Sequence, residues 1–198
     1  YFPLVAFLLL IGILIFIIRS QWVFLYWLLW EPVIFPIWCL AVRVIAREDW
    51  FMMLDSDDYL MPETIETIIP WIKEVEGMDM MAGIGVTRCF PDGKFVKNKM
   101  PKIDADLGYI DASNSDRAKY NLNMDCFEVN RTELLRQYPF QYWPTEEYAP
   151  PALNYNAMSL DGWKWRWRIG KLYICEYLQN GLTKSNKKVK NNPMGYAM

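Results

Sequence analysis

Residues 50–58 read Trp-Phe-Met-Met-Leu-Asp-Ser-Asp-Asp, five apolar side chains followed without transition by a small acidic run. A short apolar stretch with no polar alternation is the pattern of a strand buried on both faces of a parallel sheet. In open α/β sheets ligands bind in the crevice beyond the carboxyl ends of the strands, so Asp55, Asp57 and Asp58 are expected to project there rather than into the core. A helix follows. Pro62 suits its first turn, Glu63 and Glu66 lie near its positive end, and Ile65, Ile68, Ile69, Ile72 and Val75 recur at helical spacing. Pro70 should kink or restart it, because proline cannot donate to the helical ladder.

Working outward, Met80 to Cys89, the turn Pro91-Asp92-Gly93 and Lys94 to Lys97 read as strand, turn and strand. Met124 to Val129 is a further strand, and Thr132 to Tyr138 a short helix with Asn130 or Thr132 as cap and Pro139 closing it. A helix is expected from Thr145 to Leu160, with Pro150 and Pro151 confined to its first turn. Trp163 to Ile169 alternates Trp with Lys or Arg at a period of two, and Gly170 separates it from strand-like Lys171 to Leu178, the pattern of a hairpin. Lys184 to Lys190 reads as a basic, lid-like tail.

The N-terminal part is of another kind. Residues 1–18 carry no charged side chain, nearly the length of about 20 apolar residues that spans a hydrocarbon layer. Weaker apolar stretches follow from Trp22 to Trp30 and from Val33 to Val42. Residues 1–48 therefore read as a hydrophobic helical segment, either a membrane anchor or the product of truncation or mistranslation, and residues 49–198 as a separate α/β domain. As an anchor, the segment would leave the domain in the cytoplasm at the inner face of the membrane, since Arg43 and Arg47 follow it.

Composition narrows the chemistry. The 198 residues hold 21 Lys plus Arg against 23 Asp plus Glu, a formal charge of -2, so no global basic field draws nucleic acid. There is no histidine, which excludes His-based acid/base work, Ser/His/Asp hydrolysis and His-ligated zinc. Cys39, Cys89, Cys126 and Cys175 form no CxxC pair, which suits a reduced compartment. Carboxylates must carry any acid/base chemistry. Carboxylates at i and i+2 on a turn can converge on one hard cation and leave its other positions for phosphate oxygens and water; the plain alternative for such a run is a solvated turn or a helix cap.

At these residues the chain resembles family 2 glycosyltransferases of the GT-A fold, of the bacterial surface-polysaccharide type. WFMMLDSDDYLMPETIE (50–66) is similar to the strand, DxD and helix of that family. MDCFEVNRTELLRQYPF (124–140), EEYAPPALNYNAM (146–158) and LYICEYLQNGLTKSN (172–186) resemble its acceptor-side strand, its catalytic helix opening and its closing strand and lid, in the family's order. The resemblance covers about residues 49–198. It implies a mixed sheet flanked by helices, incomplete because residues 1–48 hold no counterpart of the units that form much of the base pocket.

The resemblance further implies an inverting transfer of a sugar from a nucleotide-diphosphate donor, a UDP-sugar above all, to a hydroxyl of a glycan or lipid-linked glycan, with Mn²⁺ or Mg²⁺. Asp57 would be the main metal ligand and Asp55 a second, both on the donor side, while Asp58 is less defined. Glu146, or the adjacent Glu147, would be the general base; without the resemblance the pair reads as charge stabilising a helix N-terminus. Asp125 would bond the acceptor, or else simply face solvent. The rival to catalysis is a membrane-anchored remnant that binds a partner or glycan. The Trp/Lys/Arg alternation at 163–168 is compatible with single-strand nucleic-acid stacking, but a half-buried strand with Trp inward and the cations on the other face, meeting solvent or an acidic partner, explains it more simply.

Overall fold

The computed structural model describes residues 46–55, 57–96, 100–141, 143, 146, 150–176 and 192–194. Its centre is strand β3 (Met81–Thr87), buried at every position. β1 (Trp50–Met52), β4 (Ile110–Ala112), β5 (Cys126–Arg131) and β6 (Lys164–Arg168) join it in a five-stranded sheet of order β1-β5-β3-β6-β4. Only β3 and β6 run parallel; the other pairs are antiparallel. β2 (Tyr59–Leu60) and β7 (Tyr173–Ile174) form a separate two-stranded ladder. The fold is thus mixed α/β with a mixed sheet, as expected at that level.

Each face of the sheet has its own core. On one face α1 (Thr64–Glu76) lays Ile68 and Val75 against Ile84, Val86, Phe127 and Val129. On the other, α2 (Thr132–Gln137) and α3 (Ala152–Leu160) bring Leu134, Leu135, Tyr155 and Met158 onto Trp165, Trp167 and Cys126. A 3-10 helix, Asn114–Tyr120, begins at Ser113, whose hydroxyl accepts the Asp116 N–H. The alternation of β6 sorts its residues as expected: Trp165 and Trp167 face inward and are fully buried. Glycines of β3 make room for them. A Cβ on Gly85 would stand 2.2 Å from the Trp167 ring.

Several expectations are corrected. β1 is half-buried and antiparallel to β5, not a parallel strand covered on both faces; an apolar run reports burial but not the direction of its neighbour. β6 forms no hairpin with β7. It lies between β3 and β4, and β7 pairs with β2. The β6 cations meet solvent or acidic partners, as expected: Lys164 is exposed, Arg166 is bidentate on Asp111 at 2.8 and 2.9 Å, and Glu74 of α1 accepts from both Arg166 and Arg168. With Arg166 and Arg168 paired, Trp165 to Trp167 are buried and β6 fits a central position. Finally, α1 continues through Pro70 without restarting, and the strand expected over Lys94 to Lys97 amounts, among the described residues, to one bridge between Phe95 and Cys89.

Caps reflect the same tertiary demands. Neither Asn130 nor Thr132 caps α2; Arg131 holds that position with no side-chain cap bond. Its guanidinium instead donates to the carbonyls of Val75 and Glu76 at the end of α1 and of Met81 at the start of β3, tying the helix end to the sheet. No helix among the described residues is long and apolar enough to cross a membrane. The apolar run at residues 1–18, the Lys184 to Lys190 tail and Glu147 lie outside the described residues.

Candidate active site

Strand directions gather the charged residues at one end of the sheet. Met52 pairs with Val129 and Thr87 with Cys126. The chain leaving β1 toward Asp55, the chain leaving β3 at Arg88 and the chain entering β5 from Asp125 therefore meet at the same edge. The turn after β1 is closed by the Asp58 N–H donating to the Asp55 carbonyl at 3.2 Å. Its carboxylates differ in setting. The Asp55 side chain is 59% exposed, whereas that of Asp58 is 5% exposed. Asp57 is exposed on the turn.

Arg88, which sequence reading did not single out, is the hub. Its Nη1 lies 3.0 Å from Asp55 Oδ2 and 3.6 Å from Asp58 Oδ2, and its guanidinium stacks over the Tyr173 ring, 4.1 Å from the centroid. The Tyr173 hydroxyl accepts the Asp55 N–H at 3.0 Å and donates to Asp55 Oδ2 at 3.4 Å, while the Glu176 N–H donates to Asp58 Oδ1 at 3.0 Å. The β2–β7 ladder, with Leu60 opposite Tyr173, holds that ring in place. Burial pushes the Cys175 thiol up to about 12 although Arg88 acts the other way, so it is an inert neighbour. The one signal in the sequence for Arg88 is a charged residue directly after a buried strand, the same signal that marks Asp55.

Glu128 of β5 also escaped sequence reading. It lies 3.5 Å from Arg117 with a side chain only 10% exposed. Burial raises its carboxyl above the ordinary value, against the pull of Arg117 and Arg88, and the charges of Asp125 and Asp55 add to the rise. Asp55 and Asp125 thus both act on Glu128 electrostatically. Beside Asp125 opens a hollow of about 290 Å³ lined by Asn114, Arg117, Asn123 and Met124. Arg117 is spent on structure, donating to the Leu122 and Met124 carbonyls and to Asn114, and the lining of the hollow is polar, with amide and carboxylate side chains.

Glu146 is buried, and its carboxylate accepts the Met194 N–H. Among the described residues no group of three or more His, Cys, Asp or Glu side chains stands close enough to hold a metal ion. A hard divalent cation does not require one: Mg²⁺ typically rests on one or two carboxylates and takes substrate phosphates and water for the rest. Asp55 and Asp57, both exposed oxygen donors on one turn, fit that demand, whereas Asp58, sealed by Arg88 and a backbone N–H, is an anchor. Compared with protein-family models and with curated proteins, the chain matches none.

Proposed function

We propose that residues 49–198 act as a glycosyltransferase domain of GT-A type, moving a sugar from a nucleotide-diphosphate donor, a UDP-sugar above all, to a hydroxyl of a glycan or lipid-linked glycan at the inner face of the membrane, with inversion. The observation that carries this reading is the exposed Asp55/Asp57 turn at the carboxyl end of β1, on the same sheet edge as Asp125 and its open hollow. Mn²⁺ or Mg²⁺ on Asp57 and Asp55 supplies the charge that neutralises a departing diphosphate.

The chain's own residues divide the remaining work. Asp58 and Tyr173 fix the turn so that Asp55 and Asp57 face outward. Asp125 orients an acceptor hydroxyl at the hollow, and Glu146 takes its proton as the oxygen attacks the anomeric carbon. Calorimetry with UDP and Mn²⁺ tests the reading: metal-dependent binding by the full chain, lost in Asp57→Ala together with sugar transfer, is the expected result. Transfer unchanged in Asp57→Ala would remove the site assignment, and absence of any metal-dependent UDP binding would favour a non-catalytic remnant.

A further inference from the structure

We propose that Arg88 is a built-in counter-ion for the acidic turn, and that a divalent cation engaging Asp55 displaces the guanidinium, which keeps its hold on Asp58. This rests on the metal-dependent reading above and adds to it a competition between an internal and an external cation at one carboxylate.

The two carboxylates that share Arg88 are held very differently. Asp58 is nearly sealed, and its second oxygen is fixed by the Glu176 N–H at 3.0 Å. Asp55 is largely in solvent, and among the described residues its Oδ2 takes Arg88 at 3.0 Å and a longer contact from the Tyr173 hydroxyl at 3.4 Å. An ion pair with an exposed member is weak, so Asp55 is the partner that can leave. Arg88 is not stranded when it does, because Asp58 lies within reach of the same Nη1 and the Tyr173 ring lies beneath the guanidinium. Among the described residues the buried Arg88 Nε has no acceptor, so the described contacts do not fully satisfy this guanidinium.

Two positive groups seeking Asp55 Oδ2 exclude one another, and Arg88 therefore lowers the apparent affinity of the turn for a cation by the fraction of time it holds that oxygen. A lysine keeps the charge but offers a point rather than a fork, and the buried Asp58 retains it in preference to the exposed Asp55.

Calorimetric titration of the full chain with Mn²⁺ alone decides the matter. Arg88→Lys is expected to bind Mn²⁺ about three- to fivefold tighter than the unaltered chain, the range set by a weak exposed ion pair, and Arg88→Gln tighter still. If Arg88→Gln tightens and Arg88→Lys does not, only the loss of a nearby charge is at work, and the displacement proposal is overturned. Weaker binding in both variants overturns it too, since Arg88 would then shape the turn for the ion. A measurement on the unaltered chain keeps the question open to test if the variants fail to fold. The Arg88 Nε–H resonance, assigned through bonds, is expected to shift with the same midpoint as Mg²⁺ binding, and a signal that stays still while Mg²⁺ binds refutes displacement. If the unaltered chain binds no Mn²⁺ with or without UDP, the metal-dependent reading itself fails, a result distinct from failure of the Arg88 competition.

Discussion

Asn130 is a residue whose value lies in what it satisfies. Fully buried on β5, it accepts from the Trp165 indole N–H at 2.8 Å and donates to the Tyr155 hydroxyl at 3.2 Å. Both partners are large side chains buried in the core, and an unpaired buried donor costs about 1–3 kcal/mol. Asn130→Ala should therefore lower stability by roughly 2–4 kcal/mol once the lost volume is included, read as a fall in the urea midpoint. Glu128 makes the opposite case. Its carboxyl is raised by burial above the ordinary 4.5, with Arg117 and Arg88 opposing. A raised acid stabilises the fold fully below its unfolded value and loses that contribution as pH rises through the folded value. Glu128→Gln does not titrate, so its urea midpoint should improve relative to the unaltered chain as pH rises above 4.5. If the variant instead loses ground to the unaltered chain as pH rises, the Arg117 pair, not burial, governs Glu128.

At the scale of elements, β3 accepts close neighbours because it carries glycine where a side chain would collide. A Cβ on Gly83 would lie 1.9 Å from the Val129 carbonyl oxygen, and backbone cannot swing aside as a side chain can. Gly83→Ala must part β3 from β5, and it should cost at least about 3 kcal/mol, the upper range of overpacking. Gly77, at the end of α1, has a φ of -93°, and a methyl group there would meet nothing within 4 Å, so Gly77→Ala should stay within about 0.5 kcal/mol. Comparing the two denaturation midpoints checks the steric account directly. The same scale shows where local pattern carried through. Helix α1 appears where apolar residues recur at helical spacing, and the turn at Gly93, with φ of 77°, falls in the Pro-Asp-Gly run. In each case a few neighbouring residues contain the whole cause.

Across the whole molecule, the proposed reaction separates donor from acceptor chemistry. Glu146→Gln should leave Mn²⁺-dependent UDP binding intact while slowing transfer about 10²-fold or more, the usual scale for losing a general base. Equal loss of binding and rate would instead assign Glu146 to the packing of the C-terminal residues, through its bond from Met194.

The sequence by itself determined the α/β class, the approximate places of β1, α1, β3, β5, α2 and β6, the inward tryptophans of β6 and the acidic turn after β1, but not β2, β4 or the 3-10 helix after β4. The features it determined depend on periodicity and punctuation within a single segment. Tertiary structure alone decided that β1 runs against β5, that β6 lies between β3 and β4, and that Arg88 and Tyr173 hold Asp55 across 33 and 118 residues of chain. Hydrophobic patterning tells a residue to leave water, not which distant residue it will meet. That choice follows from which strands can close over a shared core while every buried charge finds a partner.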